Sequence, residues 1–373
     1  MPAPPPQQPL PDTLILDKFA GMRNTVRAER LSAADLERAV NIDLDDANQA
    51  SRREGYQRIA DGNWHSLWNS DDMRTAYAVK DGVLGILNPD ISFTPIATVD
   101  QNPISYTQVG EVVYWCSETF SGKIIQRQSY AWGAETSPGV WVSPIVRPTE
   151  TLPAIAGKLM KKPPTAKFIT NNNGRIYLAV GNIVWFTELW NYNLVEATRN
   201  FWQFEGEISM CISVKDGVYV GTDQGVWFVG GSALKPKRVH VMDGAVVPGS
   251  AVYIPAEMAN PIAIERKPDQ ELSVSIAFMT THGYCVAGDG GTAYNLTEAK
   301  FIFPDATRAA ALFRRQRGVN QYILVADSGG TPVADSRIGD YADAEVRRGG
   351  ARWRLVDDDV VFGDRLDVEL NGG

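Results

Sequence analysis

Short runs in which apolar residues alternate with small or polar ones recur along most of this chain, most clearly at residues 212–231, ISVKDGVYVGTDQGVWFVGG. Side chains of a strand alternate between two faces, so each run reads as a strand with one face for a core. The two runs meet at Gly221-Thr-Asp-Gln-Gly225, a connection too short for anything but an antiparallel return. The outline recurs at residues 75–87 (TAYAVKDGVLGIL), 104–117 (ISYTQVGEVVYWCS), 174–188 (GRIYLAVGNIVWFTE) and 277–297 (AFMTTHGYCVAGDGGTAYNLT). These hairpins, centred near Gly82, Gly110, Gly181, Gly221 and Gly288, predict an all-β fold of repeated short antiparallel sheets, a β-propeller. Their spacing, roughly 30 to 70 residues against the 40 to 50 of ordinary blades, requires inserted loops. The largest insertion is expected at residues 129–162, which carry Trp132, Trp141 and repeated Pro.

Large rings sit inside the runs: Tyr114 and Trp115, Tyr177 and Trp185, Tyr219 and Trp227, Tyr284 and Tyr294. Rings at strand spacing fill the space between faces of adjacent sheets, and this reading is preferred to a cofactor-binding box.

The pattern changes at both ends. Residues 1–13, MPAPPPQQPLPDT, are too rich in Pro to join a sheet and too polar to bury, and read as a disordered tail. Residues 14–60 read as an N-terminal docking segment, a short helix–strand strap. Ser32-Ala-Ala-Asp35 resembles a capping box, and Leu36, Ala39 and Val40 share one helical face, which predicts about two turns of helix. Alternation at Ile42 and Leu44 then predicts a strand, with a turn at Arg52-Arg-Glu-Gly-Tyr56. Residues 61–326 form the propeller, without an amphipathic helix longer than three turns; Ala-rich 307–316 is read as one or two helical turns. Residues 327–373 are a C-terminal extension or ring-closing strands, with strand-like alternation over 351–370.

With 36 basic and 44 acidic side chains among 373 residues, the formal charge is −8, which disfavours tight non-specific nucleic-acid binding by the whole surface. Hydrophobic residues at 44% and charged ones at 21% are ordinary globular usage. The N-terminus lacks the basic start and apolar core of a secretory signal, and no apolar run is long enough to span a bilayer, so folding in a cytoplasm and no membrane segment are expected. Cys116, Cys211 and Cys285 are far apart and inside apolar runs, which reads as buried free thiols; the sequon at Asn295 then carries no glycan.

Candidate chemistry fails on inspection. Residues 117–123 imitate a phosphate loop, but Ser replaces the first Gly and Ile124 follows Lys123, so the magnesium hydroxyl is missing. Residues 288–293 match a loose dinucleotide fingerprint without the helix whose N-terminus would meet the pyrophosphate. His65, His240 and His282 have no second ligand at metal spacing and read as turn or surface residues. Thr222-Asp-Gln-Gly-Val-Trp227 approaches the sialidase turn motif but is one residue short, although paired carboxylates brought together by the fold would still permit glycoside hydrolysis. Arg308, Arg314, Arg315 and Arg317 read as a solvated or interface edge pairing with acidic neighbours, in preference to a nucleic-acid groove. No catalytic, cofactor-binding or metal-ligating residue is assigned, and no enzyme activity is expected.

Several segments stand in order along the chain: Phe19-Ala-Gly21-Met-Arg, Leu31, Ala39-Val-Asn41-Ile-Asp-Leu-Asp45 and Arg52-Arg-Glu-Gly55, then 174–188 with Trp190-Asn-Tyr192, the hairpin 216–228, and Gly290-Gly-Thr-Ala-Tyr-Asn-Leu-Thr297-Glu. In that order they resemble the β-propeller tail nozzle and tail hub proteins of short-tailed bacteriophages. The resemblance covers about residues 14–325 and implies a virion structural protein, assembled in the host cytoplasm. It implies a homo-oligomeric ring, commonly of six copies, that adjoins the tail adaptor, offers docking surfaces to fibre or spike proteins, and surrounds the channel through which genomic DNA leaves. A net-acid wall would keep that DNA from adhering. A host glycan-binding propeller and a polysaccharide hydrolase are the alternatives.

Overall fold

The computed structural model describes residues 19–32, 34–40, 42–44, 49–53, 59–70, 73–133, 160–255, 275–297, 300–301, 306–316, 319–327, 344–348 and 351–355. Two compact units divide the chain: Met1–Tyr56 with Ala299–Ile302 and Pro332–Gly373, and Gln57–Glu298 with Phe303–Thr331.

The second unit is a β-propeller, in which the described residues form five four-stranded antiparallel sheets whose strands follow chain order. The first blade comprises Trp64–Asn69, Ala76–Lys80, Val83–Leu87 and Phe93–Thr98. The second comprises Ser105–Val109, Val112–Cys116, Ser121–Ile125 and Gln128–Ala131. Phe168–Asn172, Arg175–Val180, Ile183–Phe186 and Phe201–Gln203 make the third. Ile208–Val214, Gly217–Thr222, Gly225–Ser232 and Lys235–Asp243 make the fourth. The fifth comprises Val252–Ile254, Ser275–Thr280, Gly283–Ala287 and Ala293–Asn295, and the hairpin of Arg308–Gln316 with Val319–Asp327 follows it.

Turn chemistry explains the hairpins. Asp81 and Gly82 have φ of 50° and 80°, and Asn173 and Gly174 have 47° and 73°, the paired left-handed residues that a two-residue return between twisted strands requires. In the fourth blade the buried Thr222 hydroxyl accepts from the N–H groups of Gln224 (3.1 Å) and Gly225 (3.2 Å). Thr280 accepts likewise from the His282 N–H at 3.2 Å in the fifth.

Alternation places each core between successive sheets. Trp115 and Tyr114 are neighbours on one strand and face opposite ways: Trp115 joins Tyr77, Val79 and Leu84 of the first blade, and Tyr114 joins Ile169, Ile176 and Leu178 of the third. Tyr177 and Phe186 meet Ile208 and Val220 of the fourth, whose Tyr219 and Phe228 meet Ile276 and Phe278 of the fifth. Tyr219 donates to the carbonyls of Gly288 and Thr292, so its hydroxyl is satisfied in the core. Tyr294 departs from the expected pattern: its ring is exposed on a three-residue outer strand.

The first strands of the blades are also tied to one another by small polar side chains. Ser66 accepts from the Ile104 N–H at 2.8 Å. The Ser105 hydroxyl accepts from the Ile169 N–H at 3.0 Å and donates to its carbonyl at 3.3 Å. Thr170 bonds Ser213, Asn171 donates to the Gln108 carbonyl, and Asn172 donates to the Val214 carbonyl at 2.7 Å. Each rung gives a backbone or side-chain group facing the neighbouring blade a partner that a single sheet cannot offer.

Two expected helices are strands. At the predicted capping box, the Asp35 carboxylate is the acceptor, from the Ser32 N–H (3.3 Å) and hydroxyl (2.9 Å). Asp35–Leu36 pairs in parallel with Gly21–Met22, and Arg38–Val40 pairs antiparallel with Ala344–Arg348. Leu36 is buried beside Phe19, Met22 and Ile42. Remote pairing outweighs the local helix signal, and among the described residues the only helical turns are the 3-10 turns Ala28–Arg30 and Asp289–Gly291. The Ala-rich segment is the strand Arg308–Gln316, whose Phe313 packs with Tyr322 against Ile254, Ala277 and Val286.

Ala351–Leu355 pairs with Ala344–Arg348, so these C-terminal strands share a sheet with the N-terminal segment in the first unit. The Pro-rich tail 1–13, Trp141 and most of the 129–162 insertion, and residues 356–373 lie outside the described residues.

Candidate interaction surface

Among the described residues the most elaborated part of the blades is the loop of residues 187–200 in the third blade, between Ile183–Phe186 and Phe201–Gln203. The Thr187 hydroxyl accepts from the Ile176 N–H at 2.9 Å, and the Arg175 guanidinium, lying over the Phe186 ring, donates to the Thr187 carbonyl. Burial pulls the Arg175 guanidinium below its ordinary value, and Glu188 opposes that pull. The buried Asn200 amide donates to Glu188 Oε1 at 2.9 Å, and Arg199 Nη2 stands 2.9 Å from Glu196 Oε2. Val195–Glu196 pairs with Met160–Lys161, where the chain returns from the insertion. Trp132 donates from its indole nitrogen to the Tyr192 carbonyl at 2.7 Å.

This buried polar frame holds an exposed apolar tip. Leu189 is 48% and Trp190 61% exposed. Trp190 has φ +58°, and its N–H donates to the Gly174 carbonyl at 2.8 Å. The indole packs on Gly174, where an added Cβ would lie 2.9 Å from the ring. A large ring held on a rigid frame loses little entropy when covered, which suits an anchor for a partner.

The positions weighed for chemistry are dispersed. Ser117 turns the chain before Ser121–Ile125, accepting from the Phe120 N–H at 3.0 Å, so the phosphate-loop imitation is a β-turn. Asp289–Gly291 is a 3-10 turn between two strands, with no helix at its end. His65 departs from the expected turn or surface position: it lies half-buried in the first strand of the first blade, with Nδ1 2.8 Å from the Ser66 hydroxyl. Burial lowers its pKa. His240 is in an outer strand against the Trp227 edge, and His282 is at an exposed turn.

Arg308 pairs with Asp327 at 2.9 Å. Arg314 and Arg315, as successive strand residues, face opposite sides, which splits the basic cluster; Arg317 lies outside the described residues. Asp216 and Asp289 approach one another across the fourth and fifth blades; the Gly290 N–H donates to Asp216 at 2.9 Å, and burial, with Asp289 adding, raises the Asp216 pKa. Among the described residues no three His, Cys, Asp or Glu side chains cluster as metal ligands, and no helix is long and apolar enough to cross a membrane. Cys116, Cys211 and Cys285 are buried free thiols.

No family model matches the chain, and neither does any curated protein. Solved structures resemble it in fold. PorZ, a bacterial surface component of the type-IX secretion system of Porphyromonas gingivalis, is 8% identical with a TM-score of 0.38; the match covers 82% of this chain but spans only 34% of PorZ. BBS1N, solved in complex with ARL6DN, is 10% identical over 77% of this chain and 84% of that one, with a TM-score of 0.42. The Pan2 WD40 domain of Neurospora crassa is 11% identical over 83% of this chain and 85% of the other, with a TM-score of 0.38. The propeller assignment itself stands on the sheets and cores described above.

Proposed function

We propose that this chain is a structural protein of a bacteriophage tail, a nozzle or hub subunit that assembles into an oligomeric ring around the path of ejected DNA and docks other tail proteins. The observation that carries the reading is the ordered set of segments resembling such proteins, and one of them, Trp190-Asn-Tyr192, is the rigid loop that presents Leu189 and Trp190. A wall of blades sealed by interleaved cores and polar rungs suits a mechanical role, and the net charge of −8 disfavours adhesion of passing DNA. An exposed indole also suits stacking on a sugar, so host glycan binding is the second reading.

Negative-stain electron microscopy with mass photometry on the purified chain tests the first reading, the expected result being rings with an axial channel. Monomers that bind a glycan saturably in an array, with binding lost on Trp190→Ala, would favour the second.

A further inference from the structure

The outer strand of the fourth blade, Lys235–Asp243, is nine residues long, whereas the outer strands of the other four blades have six, four, three and three. Among the described residues it pairs on one side only, with Gly225–Ser232. Pro236 has no N–H to give, which suits a position whose backbone faces away from the neighbouring strand. In an antiparallel ladder such positions alternate, so the N–H and C=O groups of Arg238 and His240 face the same free edge. A long edge of this kind is a template for one more strand.

Its side chains select the kind of strand. Lys235, Lys237, Arg238 and His240 are all exposed, as is Val239 at 41%. Arg238 is held in place by a 2.8 Å bond to the Gln203 carbonyl and by the Phe204 ring 5.0 Å away. Three cations, Lys235, Lys237 and Arg238, against the single carboxylate of Asp243 favour an acidic strand over a second copy of this edge. An acidic segment with alternating apolar residues is the complement, and the sequence of this chain contains one beyond its last described strand. Residues 356–370, VDDDVVFGDRLDVEL, carry six carboxylates against one Arg, and Leu366, Val368 and Leu370 alternate with Asp367 and Glu369.

We infer that the free edge of Lys235–Asp243 receives residues 356–370 of a second copy as an added antiparallel or parallel strand. This rests on the oligomeric reading above only in requiring a second copy, and it names the contact through which copies join.

The test uses the full chain with a fluorescent synthetic peptide of residues 356–370, read by anisotropy, beside mass photometry of the unlabelled protein. Saturable binding is expected, weakened at least about tenfold by Lys235→Glu with Lys237→Glu and weakened again by added salt. A scrambled peptide of the same composition is expected to bind at least about tenfold less well, because strand addition needs the alternation as well as the charge. The chain lacking residues 356–373 should bind the peptide at least as well, since its own segment no longer competes.

Absence of saturable binding to both forms, or equal binding by the Lys variants or by the scrambled peptide, overturns the inference. Peptide binding by a chain that stays monomeric across the concentrations measured shows that the edge takes the segment but overturns its role as a contact between copies. Rings that form without peptide binding and persist in the Lys variants leave the ring standing and refute the edge.

Discussion

The Thr170 hydroxyl donates to the Ser213 hydroxyl across 2.8 Å and accepts from the Ser213 N–H at 3.1 Å, joining the first strands of the third and fourth blades through two small side chains. Thr170 is buried, so its loss removes a partner that water replaces poorly. Thr170→Val, nearly the same in shape, should destabilise the propeller by about 1–3 kcal/mol. The check is the urea midpoint, with the slope of the transition unchanged.

Gly174 and Trp190 form a second coupled pair. Gly174→Ala places a methyl against the indole at a left-handed φ of +73°, and should cost roughly 1–3 kcal/mol and shift the tryptophan emission. Trp190→Ala should stay within about 0.5 kcal/mol of the parent, since most of the ring is in solvent. It should nevertheless lower incorporation into particles, measured by quantifying the protein in purified virions after complementation.

The thiols should be silent in the folded protein. Burial pushes the thiols of Cys116 and Cys211 up to about 12, and Cys116 Sγ already accepts the Ala166 N–H at 2.9 Å. A thiol-reactive chromophore at mildly alkaline pH should therefore react only as fast as the chain unfolds. Rapid stoichiometric labelling without denaturant would contradict the packing of these strands.

Asp216 should give a pH signature of definite sign. Its carboxyl is raised above the ordinary 3.8 by burial, with Asp289 adding and the Gly290 N–H opposing. The folded state therefore holds this proton more tightly than the unfolded one. The resulting stabilisation is complete below the unfolded value and is lost as pH rises through the folded one. Asp216→Asn removes that loss and keeps an acceptor for Gly290, so its Tm advantage over the parent should grow from about pH 3 to about pH 7. Thermal melts across that range decide it; a constant difference would mean that Asp216 is not coupled to the fold.

Deleting residues 1–60 should leave the thermal transition of the blades in place, since none of the blade strands lies there, while preventing incorporation into particles. Normal incorporation would remove the docking role from this segment.

The hairpins were legible in the sequence because period-two alternation and turn residues agree: Asp81-Gly82 and Thr222 to Gly225 name their own turns. The rungs were not legible, because Ser105 and Thr170 look like ordinary small strand residues until the neighbouring blade is in place. Residues 32–40 misled because the letters of a capping box were present, while the partner that makes Arg38–Val40 a strand is far away in sequence. Of the surface loop, the sequence marked Trp190 as part of a motif, but its exposure depends on Gly174 beneath it and on the Asn200 and Glu188 frame, which join residues from separate strands.

Because each blade closes its own sheet and buries its faces against the blades next to it in the chain, folding can keep pace with synthesis. A blade leaving the ribosome finds its predecessor already made, and little apolar surface has to wait in water. The Arg38–Val40 strand is an exception: it must remain unpaired until Ala344–Arg348, about 300 residues later, has emerged. Completion of that sheet therefore reports that translation has passed residue 348, and a chain terminated before residue 344 would carry a folded propeller with Arg38–Val40 unpaired.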